Sequence, residues 1–331
     1  MKYPAVKTSL VDVSSKFSTP FRILYKKESE QPSGSFKLRG IGHLIGNSIE
    51  ESRALGKDKV EVFSSSGGNA GLAAAYSSRY YNVPCTVVLP NFGKPSVIEK
   101  LKEYGATVHL KGEHWGEADG YLRNEIIGNL DESTDAIYCH PFDDPLIWEG
   151  NSKLIAEIEQ QLSESELSKV KGVICSVGGG GLFNGVVKGL KDSKNLKEVP
   201  VLAVETDGAP KFDEALKQNK VVTLDNIKTL ATSLASPYIS EQSLHNYHSH
   251  PVSNCVIPDL QSVKGCVDYF DTFGEVIEPA CGASTSILTE GSNKKFLDHF
   301  GELKPEDIII VIVCGGTVTT KEDLEGFRNL I

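Results

Sequence analysis

The feature that most constrains this chain is a repeated alternation of short apolar runs with amphipathic helical stretches. Segments 60–63, 85–89, 107–110, 172–177, 199–205 and 308–313 are rich in β-branched and aliphatic residues and read as strands. They read as apolar on both faces, which suits parallel strands covered by helices. Between them, 70–81 places Leu72, Ala75 and Tyr76 on one helical face. Segment 96–104 spaces Val97, Ile98 and Leu101 helically and stops at Gly105, and 151–162 repeats the pattern with Leu154, Ile155, Ile158 and Leu162. A further helix is read from Leu182 to Leu190. Alternation of this kind along nearly the whole chain predicts an α/β fold.

At 331 residues the chain has room for about two domains. Apolar residues are 40% and charged residues 24%, which excludes long disorder. The net charge of −10 argues against nucleic-acid and anionic-membrane partners. No aliphatic run approaches the roughly 20 residues that span a bilayer. The first 21 residues carry Lys2, Lys7, Asp12 and Lys16 and lack the apolar stretch of a secretory signal. The seven cysteines are odd in number and scattered without a Cys-x-x-Cys pair. That usage fits reduced thiols in the cytoplasm. The least periodic stretch, 224–258, is rich in Ser and Asn and contains His245, His248 and His250; it reads as a solvated loop rather than a metal site.

Four motifs carry chemistry. In Gln31-Pro-Ser-Gly-Ser-Phe-Lys-Leu-Arg-Gly40, one lysine follows a Pro/Gly turn. It reads either as a surface lysine or as a Schiff-base nucleophile made reactive by desolvation. Ser64-Ser-Ser-Gly-Gly-Asn-Ala-Gly71 joins a strand to a helix. Its small residues allow close approach, and the helix start attracts a carboxylate or phosphate; the plainer reading is an ordinary β–α loop with Asn69 near the N-cap. Ser176-Val-Gly-Gly-Gly-Gly-Leu182 places four consecutive glycines between a strand and a helix. The conformational entropy lost in ordering such a run needs a reason, and a phosphate cradled by backbone N–H groups supplies one. Neither Gly-x-Gly-x-x-Gly nor Gly-Lys-Ser/Thr can be read across it, which argues against NAD and ATP. Finally, Val313-Cys-Gly-Gly-Thr317 sits at a strand's carboxyl end, where open α/β sheets gather ligands. A lone buried cysteine there is otherwise only a small apolar residue.

The order of these motifs resembles the fold-type II family of pyridoxal-phosphate (PLP) enzymes, and within it the L-serine/L-threonine dehydratases, or ammonia-lyases. The resemblance runs from about Thr19 to Thr317, and Pro141-Phe-Asp-Asp-Pro-Leu-Ile-Trp-Glu-Gly150 and Glu278-Pro-Ala-Cys-Gly-Ala283 share it. It implies two domains, each an open, mostly parallel, twisted sheet flanked by helices. Residues 1–40 with 144–331 would form the larger, cofactor-binding domain, and 41–143 the smaller, substrate-binding one. It further implies that Lys37 forms the Schiff base, that Phe36 stacks on the cofactor ring, and that Ser66, Gly67, Asn69 and Ala70 hold the substrate carboxylate. Asn69 would also bond the ring hydroxyl, and Gly178, Gly179, Gly180, Gly181 and Leu182 would hold the phosphate. Cys314 would face the pyridine nitrogen, and Glu205 and Ala209 would line a monovalent-cation site, for K+.

The reaction so implied is β-elimination from L-serine to pyruvate and ammonia, and from L-threonine to 2-oxobutanoate. Lys37 removes the α-proton, and Ser66 or the cofactor phosphate protonates the leaving hydroxyl. A neutral thiol at Cys314 does not hold the ring nitrogen protonated as a carboxylate would, which favours elimination over racemization. Alternatives within the family are serine racemization and cysteine synthase-like β-replacement. A catabolic, cytoplasmic homodimer serving gluconeogenesis is the implied setting. The short stretch after Cys314 predicts no isoleucine-regulated domain. Three segments depart from the family pattern: Thr317-Val-Thr319, Asn151 where His is typical, and Thr232-Ser-Leu-Ala235 followed by Ser236-Pro-Tyr238.

Overall fold

A computed structural model describes residues 2–57, 59–289 and 297–331. The described strands are β1 (Leu10–Asp12), β2 (Arg22–Lys27), β3 (Lys59–Ser64), β4 (Cys85–Leu89), β5 (Thr107–Leu110), β6 (Thr134–Tyr138), β7 (Val170–Ser176), β8 (Val201–Thr206), β9 (Val252–Ile257) and β10 (Ile308–Val313). They form two sheets, in the orders β5-β4-β3-β6 and β1-β2-β10-β7-β8-β9. All neighbours are parallel except β1 and β2. The α/β reading from the strand–helix alternation holds.

By contacts the chain divides into a first unit, Met1–Val6 with Gln31–Gly150, and a second, Lys7–Glu30 with Asn151–Ile331. Segments 1–6, 31–40 and 144–150 therefore group with 41–143, apart from the larger domain in which the resemblance would place them. The reason is local. The helix Lys37–Ala54 runs unbroken through residue 40, with Leu38 and Ile41 both buried.

In the first unit, β4 is buried at every residue, as its Cys-Thr-Val-Val-Leu sequence requires. Strand β5 behaves differently. It pairs only with β4, and Thr107, His109 and Leu110 are exposed. As an edge strand it needs no cover on both faces, so the two-faced burial read from sequence does not apply to it.

In the second unit, β7, β8 and β10 form the apolar centre. Every residue of Ile308–Val313 is buried. Strands β1, β2, β6 and β9 lay outside the sequence reading; in β2, β6 and β9 polar residues are satisfied by partners far along the chain. Lys26 of β2 is fully buried, with its ammonium 2.7 Å from Glu157. Segment 224–258 is only partly a loop: it contains the helix Glu241–Ser249 and strand β9. His250 is buried, with Nε2 2.9 Å from the Val199 carbonyl, whereas His245 and His248 are exposed.

Gly172 in β7 is a packing constraint. A Cβ there would lie 2.3 Å from the Phe300 ring. Gly172→Ala should cost about 1–3 kcal/mol in denaturant unfolding, the usual range for overpacking a core. Adding Phe300→Leu should recover part of that loss, because it removes the clashing ring edge.

Candidate active site

The sequence-derived candidates divide between the two units. In the first, the turn that precedes Lys37 closes through the Gly34 N–H to the Gln31 carbonyl at 2.6 Å. Lys37 then opens the helix Lys37–Ala54. Its Nζ donates to the Pro141 carbonyl at 2.6 Å and lies 5.1 Å from the centroid of the Phe36 ring. Phe36 and Lys37 are thus juxtaposed, and the Pro141 carbonyl holds the amine.

The neighbours of Pro141 explain why that carbonyl is fixed. His140 Nδ1 accepts N–H groups from Phe142 at 3.3 Å and Asp143 at 2.8 Å. Burial pushes the imidazole down to about 4; Asp119 opposes this and Lys37 adds to it. At neutral pH the ring is therefore uncharged and able to accept. Asp119 in turn accepts from Ser65 Oγ at 2.7 Å and from the Tyr138 hydroxyl at 2.5 Å. His140, Asp119 and Tyr138 were not among the sequence candidates. The only signal for them was His140 standing immediately before the Pro141–Gly150 motif.

The serine-glycine loop leads from β3 into the helix Asn69–Tyr81. Gly68 is the N-cap and Asn69 the first residue of the helix, so Asn69 stands next to the cap. Ser66 Oγ accepts from the Gly68 N–H at 3.3 Å. Gly71 permits the compact turn: a Cβ there would lie 2.0 Å from the Ser66 carbonyl oxygen. Ser66 and Gly67 are half-buried, whereas Asn69 and Ala70 are buried.

In the second unit, the four glycines follow β7 and start the helix Gly181–Asp192. Gly180 has φ +98°, and a Cβ on it would fall 2.2 Å from Ser243 Oγ. Only glycine serves there. The first turn of this helix presents N–H groups without intrahelical acceptors at a positive dipole end, which suits a phosphate. Behind the loop, the Ser240 N–H donates to the Gly179 carbonyl at 3.1 Å. Ser240 also receives the Asn184 side-chain amide at 2.7 Å, and Ser243 donates to Asn184 Oδ1 at 2.9 Å. This buttress comes from the Ser- and Asn-rich stretch that read as solvated loop. Asn151 donates to the Gly181 carbonyl at 2.9 Å, which makes this family departure part of the loop's support.

Cys314 follows β10 and is 5% exposed. Ser176 Oγ lies 3.8 Å from its thiol, which places Cys314 beside the stem of the glycine loop. The Cys281 thiol is pushed up by burial and by its contact with Cys314. Glu278, 3% exposed, bonds the Ser233 hydroxyl and accepts the Val318 N–H at 2.9 Å. It links the two other departing segments, 232–235 and 317–319; the sequence had marked it only as the first residue of the Glu278–Ala283 motif.

Glu205 and Ala209 were read as lining a cation site. Their oxygens are engaged by Lys211 instead, with Nζ 3.2 Å from Glu205 Oε1 and 2.9 Å from the Ala209 carbonyl. Burial pushes this amine below the usual lysine range, and Glu205 pulls it back up. Among the described residues no group of three or more His, Cys, Asp and Glu could hold a metal ion.

The model for the family described as "Pyridoxal-phosphate dependent enzyme" matches residues 4–315. An L-serine dehydratase of Saccharomyces cerevisiae is 44% identical over 304 residues, covering 90% of this chain and 89% of that protein. A catabolic L-serine/threonine dehydratase of the same species is 42% identical over 315 residues, covering 94% and 86%. The crystal structure of a fungal L-serine ammonia-lyase from Rhizomucor miehei superposes with a TM-score of 0.86 at 28% identity, covering 99% of each chain. Taken each by itself, the glycine loop suits a phosphate and the held lysine an aldehyde, and the chain belongs to the pyridoxal-phosphate dependent enzyme family.

Proposed function

We propose that this protein eliminates water from L-serine to give pyruvate and ammonia, and acts likewise on L-threonine to give 2-oxobutanoate. The reading rests on the two yeast relatives, whose names state dehydration of these amino acids. The bound cofactor supplies the electron sink for the α-carbon, and the chain supplies binding and proton transfer.

In this reading the Lys37 amine holds the cofactor's aldehyde carbon. With the cofactor bound, Lys37 Nζ would be the base that takes the substrate's α-proton. The Pro141 carbonyl, 2.6 Å away, restricts the directions in which that amine can point. Phe36 supports the ring. The loop from Ser66 to Ala70, at the positive end of the helix Asn69–Tyr81, receives the substrate carboxylate. Ser66 Oγ accepts from Gly68 and keeps its own proton, which it can give to the departing hydroxyl. Gly178 to Leu182 take the phosphate, and Cys314 takes the ring nitrogen. No K+ enters this reading, because Lys211 already engages Glu205 and Ala209.

The setting we infer is catabolic and cytoplasmic, with the chain acting as a homodimer. The scattered cysteines suit a reducing compartment, and closed two-fold dimers are the commonest assembly. No helix is long and apolar enough to cross a membrane among the described residues.

Replacing Lys37 by Ala should reduce pyruvate formation from serine by on the order of 10³-fold or more, as loss of a proton-transferring group does. The circular dichroism spectrum should be unchanged. Retention of a tenth of the activity would show that another lysine carries the chemistry.

Cys314→Asp places a carboxylate where the ring nitrogen is read to lie, and an adjacent negative charge favours the protonated nitrogen. Racemization and transamination of serine should rise relative to elimination, while Cys314→Ser keeps the wild-type product ratio. A folded Cys314→Asp enzyme with unchanged products would return Cys314 to the role of small core residue.

A further inference from the structure

Lys211 is fully buried, and its ammonium has three oxygens within reach: the Val177 carbonyl at 3.1 Å, the Ala209 carbonyl at 2.9 Å and Glu205 Oε1 at 3.2 Å. A lysine ammonium carries three N–H donors, so every donor has an acceptor. The acceptors come from three places in the chain. Val177 is the residue before the four glycines. Ala209 lies in the turn after β8, and Glu205 lies within β8 itself. Glu205 is also fully buried. Its carboxylate accepts the N–H groups of Phe212 and Asp213, each at 2.9 Å, and the Asn254 side-chain amide at 3.2 Å.

Beyond the carboxylate, a buried ammonium needs acceptors for its remaining N–H donors. Here two main-chain carbonyls converge on the same nitrogen, and a cage of carbonyl oxygens is the donor set that replaces the hydration shell of a monovalent cation such as K+. An ammonium and a potassium ion are nearly the same size. The residues expected to line a cation site are two of these three ligands, and a K+ placed on their oxygens would coincide with Nζ. Cage and added cation exclude each other by space and by like charge.

We propose that the Lys211 ammonium is this protein's built-in monovalent cation, tying the stem of the glycine loop to the turn after β8 and making the enzyme independent of added K+. Because Val177 precedes the cradle, the tether also sets the position from which the four glycines start. The role is one of positioning: Lys211 acts through the loop.

The test compares the holoenzyme in KCl, NaCl and tetramethylammonium chloride at equal ionic strength, reading the thermal midpoint and pyruvate formation. The stability arm does not depend on the proposed reaction, so its outcome stands apart from any failure of that reading. Wild-type midpoint and rate should be the same in all three salts, within twofold for the rate. Lys211→Ala opens the cage. Its midpoint in tetramethylammonium chloride should fall and then rise saturably with KCl or NH4Cl, with cofactor affinity and rate recovering several-fold. Lys211→Met fills the space without charge and should show no such recovery. A wild-type enzyme whose midpoint or rate requires K+ would overturn the proposal, as would a folded Lys211→Ala variant indifferent to both K+ and NH4+. Should Lys211→Ala not fold in any salt, the wild-type comparison decides alone: equality among the three salts upholds the proposal and a K+ requirement overturns it.

Discussion

Parallel β-ladders leave their carboxyl ends as the place where backbone polar groups run out of partners, and the second unit depends on how those ends are closed. Strands β7, β8 and β10 stop side by side within the same ladder. Val177 makes one last ladder bond, its N–H to the Val204 carbonyl at 2.8 Å, and turns its own carbonyl to the Lys211 ammonium. From there the four glycines lead into the helix Gly181–Asp192. The turn after β8 is closed by Glu205, which gathers two helix-start N–H groups and the same ammonium. Cys314 ends β10 and touches Ser176 at the end of β7. The atoms that close these strand ends are therefore the ones that support the glycine loop proposed to take the phosphate.

The first unit uses a different device. Its lysine stands at the start of a helix, and a carbonyl holds the amine in place. That carbonyl belongs to a turn kept rigid by a neutral imidazole accepting two amides. A charged His140 could not accept these bonds, and its burial beside Lys37 keeps it uncharged. Asp119, bonded by Ser65 and Tyr138, anchors the strand end from which the serine loop departs. Lys37 and the serine-glycine loop are thus each supported by neighbouring side chains and turns.

Much of this was legible in the sequence because apolar β-branched runs and glycine clusters have few other uses. Strands β4, β5 and β10 begin and end where their sequence indicates. The run of four glycines could be recognised as needing a reason, although the constraint at Gly180, its positive φ and the closeness of Ser243, could not. What periodicity could not reveal were elements whose polar residues find partners far along the chain. Lys26 is buried within β2 because Glu157 lies more than a hundred residues on. Asn184, Ser240 and Ser243 form the wall behind the glycines, yet Ser- and Asn-rich sequence reads equally as solvated loop. Lys211 escaped notice for the same reason: a single lysine after a proline carries no sign of the three oxygens around it.

The central claim is that Lys37 carries the cofactor. The most direct measurement is borohydride reduction of the purified protein followed by peptide mapping with mass spectrometry. The account predicts a single phosphopyridoxyl group, located on Lys37, with loss of the visible absorption band on reduction. A group located on any other lysine, Lys211 included, or none at all in catalytically active protein, would contradict it.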